Sequence, residues 1–245
     1  MCTLTLLPKE NGFLVGMNRD ESLTREKAMP PRLFTKYGVQ ALHPVESSGG
    51  TWIGCNNRGI LLALLNWYSV ANQPSTENVI SRGTLIPELI METDSGGLRR
   101  AIAGFDLKGL RPFRLIGIFG NEKSVLEWRW DGDGIESLET EWAAKHWFSS
   151  SLSDSSAEKN RGAACDLAWK DPSAGNEDWL RALHRSHVPA PGPFSVCVHR
   201  PDAATVSYTE VRCCGPSITM DYAAGYPCHS GGFDETARIV RASLS

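Results

Sequence analysis

The residues with the most chemical potential stand at the start of the chain: Cys2, and the tetrapeptide Asn18-Arg19-Asp20-Glu21. Met followed by a small residue is a signal for Met removal, so the mature chain is expected to begin at Cys2, with a thiol and a free α-amine on one residue. An α-amine titrates near ~8 and a thiol near ~8.5. Near neutrality the amine can therefore take the thiol proton, as in N-terminal Thr nucleophiles. A nearby guanidinium such as Arg19 favours the thiolate further, and the Asp20 carboxylate is suited to hold the amine. The plainer reading of the same residues is a buried strand cysteine beside a hairpin whose charges are solvated.

Bringing these groups together requires a hairpin. Cys2-Thr-Leu-Thr-Leu-Leu7 and Phe13-Leu-Val-Gly-Met-Asn18 read as strands, and Asn11-Gly12 between them is a strong turn signal. A two-residue loop at Asn11-Gly12 sets Cys2 opposite Glu21, a three-residue loop opposite Asp20, and a four-residue loop opposite Arg19. Every register faces the thiol with a charged residue, across a Cβ separation of roughly 5 Å. Thr51 to Cys55 and Ile60 to Trp67 form a second hairpin around Asn56-Asn57-Arg58-Gly59. Asn66 ends its apolar run, where a carboxamide needs partners if buried. It reads either as a strand-end residue bonding a turn or as an oxyanion donor, a role worth roughly 3 to 4 kcal/mol in a transition state.

Met1-Cys2, Asn18-Arg19-Asp20-Glu21, Gly49-Gly50-Thr51-Trp52-Ile53-Gly54, Asn57-Arg58-Gly59, Leu65-Asn66-Trp67 and Ser81-Arg82-Gly83-Thr84-Leu85 together resemble the NRDE family, the transport and Golgi organisation proteins. The match is strong to about residue 90. It implies an α+β fold of the N-terminal nucleophile (Ntn) hydrolase type, a four-layer αββα sandwich of antiparallel sheets spanning one domain, residues 1–245. A more distant resemblance to the bile salt hydrolases and penicillin V acylases implies that Asn66 belongs to the oxyanion hole and that Asn18 and Asp20 match an Asn and an Asp near the nucleophile. Those acylases carry a catalytic Arg one residue before that Asn, where this chain has Met17. Neighbours along a strand point to opposite faces, so Arg19 is not expected to replace it. Ser150 stands where the family usually has an Asn, whose counterpart in the acylases is a second oxyanion or binding donor, and Glu21, Trp67, Arg82 and Ser150 are the expected substrate contacts. Arg82 reads as a substrate-carboxylate anchor or, more plainly, as a salt-bridged surface residue.

The function expected from this resemblance is hydrolysis of a non-peptide amide or a thioester by Cys2 once Met1 is gone. The alternative is a non-catalytic carrier of haem or another small ligand on the same fold. Family members are linked to haem trafficking, and in animals to secretory organisation and lipid metabolism. A Cys or His can ligate haem iron axially, and the eight Trp would suit an apolar pocket.

The 245 residues carry a net charge of −3 with a pI near 6.1, which gives no reason to expect nucleic acid. The sequence has neither a bilayer-length apolar run nor the basic and apolar regions of a secretory signal, so a cytoplasmic location is expected. Seven cysteines without framework spacing point to reduced thiols. Structural zinc is not expected from Cys213-Cys214 or from the dispersed histidines, and no metal site is assigned. His184 and His187, three apart, read as an exposed helix end.

Elsewhere, Gly83 to Met91, with a start near Pro87, and Leu98 to Ala103 read as helices separated by Ser95-Gly96-Gly97, and Phe113 to Phe119 and Val125 to Trp130 as strands. Asp131-Gly-Asp-Gly134 reads as a tight turn. Ser151 to Gly162 reads as a loop, and Arg161 to Trp169 and Glu177 to His187 as helices. Phe194 to His199 and Ala204 to Val211 read as a hairpin, and Asp234 to Leu244 as a helix.

Overall fold

The computed structural model describes residues 2–70 and 80–242. Thirteen strands form two antiparallel sheets among the described residues. The first contains β1 (Cys2–Lys9), β2 (Gly12–Ser22), β10 (Lys145–Ser149), β11 (Ala203–Cys214), β12 (Ser217–Ala224) and β13 (Glu235–Val240), in the order β10-β1-β2-β11-β12-β13. The second runs β3 (Met29–Lys36), β4 (Val39–Val45), β5 (Ile53–Asn56), β6 (Ile60–Asn66), β7 (Phe113–Phe119), β8 (Ser124–Trp130) and β9 (Ile135–Thr140), in chain order.

Alternation along the strands explains the layering. On β1, Cys2, Leu4 and Leu6 point into a core shared with Ile53, Leu61, Ala63 and Ile116 of the other sheet. Leu7 and Leu14 point the opposite way, against α3 (Asp154–Ala168) and α4 (Glu177–His184). Leu62, Leu64 and Leu115 face α1 (Leu85–Leu89) and α2 (Ser95–Ala103). Helices, sheet, sheet and helices form the four layers of an α+β sandwich, with both early hairpins at its centre.

Several local expectations are corrected. The tip of the first hairpin is Glu10-Asn11, because Lys9 pairs with Gly12. Gly12 serves packing: its φ is +143°, and a Cβ there would fall 1.7 Å from the Cys213 carbonyl oxygen on β11. Ser95-Gly96-Gly97 lies inside α2, whose first turn is capped by the Asp94 carboxylate accepting from the Gly97 N–H. α3 begins at Asp154, inside the stretch expected to be a loop. Segment 194–199 contributes only isolated bridges. The tail expected to be helical is β13, which pairs with β12 and buries Ile239; Leu244 lies outside the described residues.

Behind β1 the helix-facing threonines organise a histidine pair. Trp169 Nε1 donates to His146 Nε2 at 3.1 Å, which leaves the His146 proton on Nδ1 to be donated to Thr5 Oγ1 at 2.9 Å. The Thr5 hydroxyl then donates to His184 Nε2 at 3.0 Å. His184 is therefore a fully buried residue, and the exposed-helix-end reading is corrected. Burial pushes His184 down to about 3 and His146 to about 4, so both are neutral in the folded chain. An unfolded histidine titrates near 6.5, so between those values the unfolded chain binds more protons and stability is lost as the pH falls. Each ring contributes up to about 1.4 kcal/mol per pH unit. Urea midpoints are expected to decline steadily from pH 6.5 to pH 4, with a shallower decline in His184→Gln. A flat midpoint over that range would show that the rings are not buried as neutral groups.

Candidate active site

The site starts from strand register. Cys2 pairs with Arg19 on one side and with Ser149 of β10 on the other. Directly opposed residues share a face, so the Cys2 thiol and the Arg19 guanidinium both project between the sheets. This corrects the face expected for Arg19: it lies two positions from Met17, and positions two apart in a strand point the same way. Cys2 is only 6% exposed, and what is exposed opens on a cleft of about 270 Å³.

Residues distant in the chain line that cleft together. Cys2, Arg19, Asp20 and Glu21 come from the first hairpin, Thr51 and Trp52 from the start of the second, and Leu64 and Asn66 from its far strand. Ser81, Arg82, Gly83 and Arg111 close one side, and Arg25 and Glu46 the other. The glycine motifs supply the close approach that joins two of these walls. A Cβ on Gly50 would come within 3.0 Å of the Gly83 carbonyl carbon, and the Thr51 N–H donates to the Gly83 carbonyl at 3.0 Å. The Gly49-Gly50-Thr51 and Ser81-Arg82-Gly83 segments therefore lie backbone against backbone.

Arg19 is a wall of the cleft more than a free cation. Its Nη2 lies 2.6 Å from Glu46 Oε1 and 3.5 Å from Glu21 Oε2, and its guanidinium sits 4.4 Å from the centre of the Trp52 ring. Arg25 bridges the same two carboxylates. Arg82 is different. It donates to the Pro112 carbonyl at 2.8 Å, and no carboxylate among the described residues forms an ion pair with it. The surface-salt-bridge reading of Arg82 is thereby corrected. Burial, and next to it the opposing pull of the Tyr68 hydroxyl and the push of Arg111, leave it below its ordinary value.

The backbone of Cys2 is fixed on both sides. Its nitrogen donates to Ser149 Oγ at 3.0 Å, and its carbonyl accepts from Arg161 Nη1 at 3.2 Å. Arg161 lies on α3 and is fully buried. Its Nη1 also donates to Thr3 Oγ1 at 2.9 Å, and its Nη2 stands 3.3 Å from Asp20 Oδ2. Asp20 Oδ1 accepts from the Thr205 hydroxyl at 2.6 Å, while Oδ2 accepts no hydrogen bond. Burial pushes the Asp20 carboxyl up, against the pull of Arg161, the chain's terminal amine and Thr205. Burial likewise pushes the Cys2 thiol up and the Asp20 charge adds to this; the terminal amine, Arg19 and the Asp20 backbone N–H act the other way. The resting sulfur is a thiol, and a base has to take its proton before it can attack.

The remaining expected residues divide. Asn66 reaches the cleft, with Nδ2 donating one proton to the Tyr68 hydroxyl at 2.7 Å, which leaves its second N–H for another acceptor. Asn18 turns to the helix face, where Nδ2 donates to the carbonyls of His184 and Val196, each at 2.9 Å. Its role is to clamp α4 and segment 194–199 to β2, and it does not hold the Cys2 amine. Trp67 lies outside the lining, with its ring beside Arg129. Ser150 is buried behind the cleft, its backbone N–H donating to Asp154 Oδ1 at 2.7 Å. Ser149, one residue earlier, is the one that meets Cys2.

Ser149, Arg161, Glu46 and Arg111 escaped the sequence reading. Arg161 had a signal: Ala157, Arg161, Ala164 and Cys165 are the buried positions of α3, a helical stripe with one charge in it. The histidines and cysteines are also less dispersed than they read. His187, Cys197, His199 and Cys228 bring their ligand atoms within 4.8 Å of one another, away from the cleft lining.

The model of the family described as Transport and Golgi organisation 2 matches residues 1–169. The chain belongs to the Transport and Golgi organisation 2 family. No curated protein sequence matches it. Among solved structures, this Transport and Golgi organisation 2 member is similar to a mutant conjugated bile acid hydrolase from Clostridium perfringens, with a TM-score of 0.54 and 11% identity over 98% of this chain and 92% of that one. It is similar to penicillin V acylase from Agrobacterium tumefaciens, with a TM-score of 0.50 and 10% identity over 91% and 83% of the two chains. At such identities the likeness is one of fold, and the fold is that of the Ntn hydrolases. Among the described residues of this family member, no helix is long and apolar enough to cross a membrane.

Proposed function

We propose that the protein is an N-terminal-cysteine amidohydrolase that cleaves a small non-peptide amide, or a thioester, after loss of Met1. The observation that supports this reading is that Cys2 lines a polar cleft, with its nitrogen on Ser149 Oγ and with Asn66 of the facing sheet lining the same cleft. The freed α-amine of Cys2 takes the thiol proton. Ser149 and Asp20, whose Oδ2 accepts no hydrogen bond and is ion-paired with Arg161, orient the resulting ammonium. Sulfur then adds to the substrate carbonyl, and the oxyanion is bound by the open N–H of Asn66. As the tetrahedral centre collapses, the C–N bond breaks and the ammonium returns its proton to the departing amine. Water, deprotonated by the same amine, releases the acid from the thioester.

The cleft suggests a substrate class. About 270 Å³ is near the lower bound for a small-molecule pocket. Arg82 and Arg111 on one wall lack carboxylate partners among the described residues, which suits a substrate carrying an acidic group. The charged side chains interspersed with Trp52, Leu64 and Ile80 favour a small polar substrate over haem in this cleft.

Asn66→Ala is expected to lower kcat about 10²- to 10³-fold with little change in KM, the signature of a lost oxyanion donor. A panel of acidic N-acyl amides and thioesters, assayed with wild type and this variant, checks it. An unchanged kcat would remove Asn66 from the mechanism.

A further inference from the structure

The two longest irregular stretches of the second half, 185–202 and 225–234, meet at a cluster that the amidohydrolase reading does not use. Long segments without secondary structure need another source of order. His187 Nε2 lies 3.0 Å from His199 Nε2, Cys197 Sγ lies 3.7 Å from it, and Cys228 Sγ 3.4 Å. All four donor atoms fall within 4.8 Å of one another. A tetrahedral zinc with bonds of about 2.3 Å to sulfur and 2.0–2.1 Å to nitrogen separates its ligands by about 3.3–3.8 Å. The three spacings to His199 need shifts of only a few tenths of an ångström, and the widest pair of the cluster has to close by about 1 Å.

We propose that His187, Cys197, His199 and Cys228 form a structural zinc site. The donor set is the Cys2His2 type that closed structural sites use, and two thiolates balance the divalent charge. The surroundings already hold the ligands in place. Tyr226 stacks on the His199 ring with centroids 4.8 Å apart, and the backbone N–H groups of Cys197 and His199 donate to Ser186 and Gly192 carbonyls. Three ligands come from one irregular segment and Cys228 from the other, so the ion ties together two loops that no ladder joins. The site also borders the catalytic layer. Val198, between two ligands, donates its N–H to Thr205 Oγ1, and that hydroxyl donates to Asp20 Oδ1.

The test uses untagged full-length protein purified under reducing conditions. Mass spectrometry of metal content is expected to find about one zinc per chain, lost from Cys197→Ser/Cys228→Ser and retained in Cys214→Ser. Replacement by Co²⁺ is expected to give the intense visible bands of a tetrahedral ion and a thiolate charge-transfer band. A strong chelator is expected to lower the melting temperature by at least about 5 °C. If the double variant does not fold, the cobalt spectrum of the wild type decides. Substoichiometric metal after zinc reconstitution, a cobalt spectrum without the thiolate band, or a Cys197–Cys228 disulfide in the reduced preparation would overturn the site. None of these outcomes bears on whether Cys2 is a nucleophile, which keeps the two readings separable.

Discussion

Cys2→Ala is expected to form no acyl-enzyme and to lose at least about 10³-fold in turnover of any substrate that the wild type cleaves, because no other group in the cleft replaces an attacking sulfur. The readout is mass: an activated ester should add one acyl group to wild type and none to the variant. A second comparison isolates the amine. Protein carrying an extra N-terminal tag ahead of Cys2 keeps the thiol but has no α-amine on that residue, and is expected to be as inert as the alanine variant. Since burial holds the thiol above its ordinary value, thiol reagents should label the tagged form slowly at neutral pH and faster as pH rises. Equal acylation of tagged and untagged protein would sink the amine's part in the mechanism, and acylation of Cys2→Ala would sink the nucleophile itself.

Arg161→Ala is expected to cost about 3–5 kcal/mol of folding stability, because it leaves the enclosed Asp20 carboxylate without its countercharge. For a chain of this size that corresponds to a fall of roughly 6–20 °C in melting temperature. Both side chains are completely sealed from solvent, so the loss is not screened as it would be at a surface. The pair is also separable from its stability effect. Asp20→Leu/Arg161→Met removes both charges and is expected to recover much of the lost stability, while acyl transfer stays impaired for want of the Asp20 carboxylate. A melting temperature for Arg161→Ala within a degree or two of wild type would show that the ion pair contributes nothing.

The amino-acid sequence carried several central strands and the place of Cys2 opposite a charged residue well, for identifiable reasons. β1, β2, β6, β7 and β8 are built from apolar stretches bounded by turn residues, so their type was legible. Cys2 was legible because its position in the chain, not its surroundings, makes it unusual. What stayed hidden depended on long-range pairing. β13 reads as a helix until β12 pairs with it and the Thr236 hydroxyl donates to Asp221. The first turns of α3 read as loop because a polar surface conceals a buried stripe of small residues around Arg161. Ser149 and Ser150 differ by one position, and only the register of β10 against β1 decides which of them meets Cys2. Asn18 was placed beside the nucleophile by similarity, yet alternation along β2 puts its amide on the helix side.

The tethering of Cys2 has a consequence for maturation. Its nitrogen and carbonyl are both engaged, its strand is flanked on either side, and little of the residue meets solvent. An aminopeptidase has to draw the bond before Cys2 into its own site, and the finished fold grips Cys2 on both sides. On the proposed reading, trimming belongs to the nascent polypeptide, and a molecule that folds before it is trimmed stays permanently silent. The fraction of active molecules would then be set by a race during synthesis, ahead of any encounter with substrate.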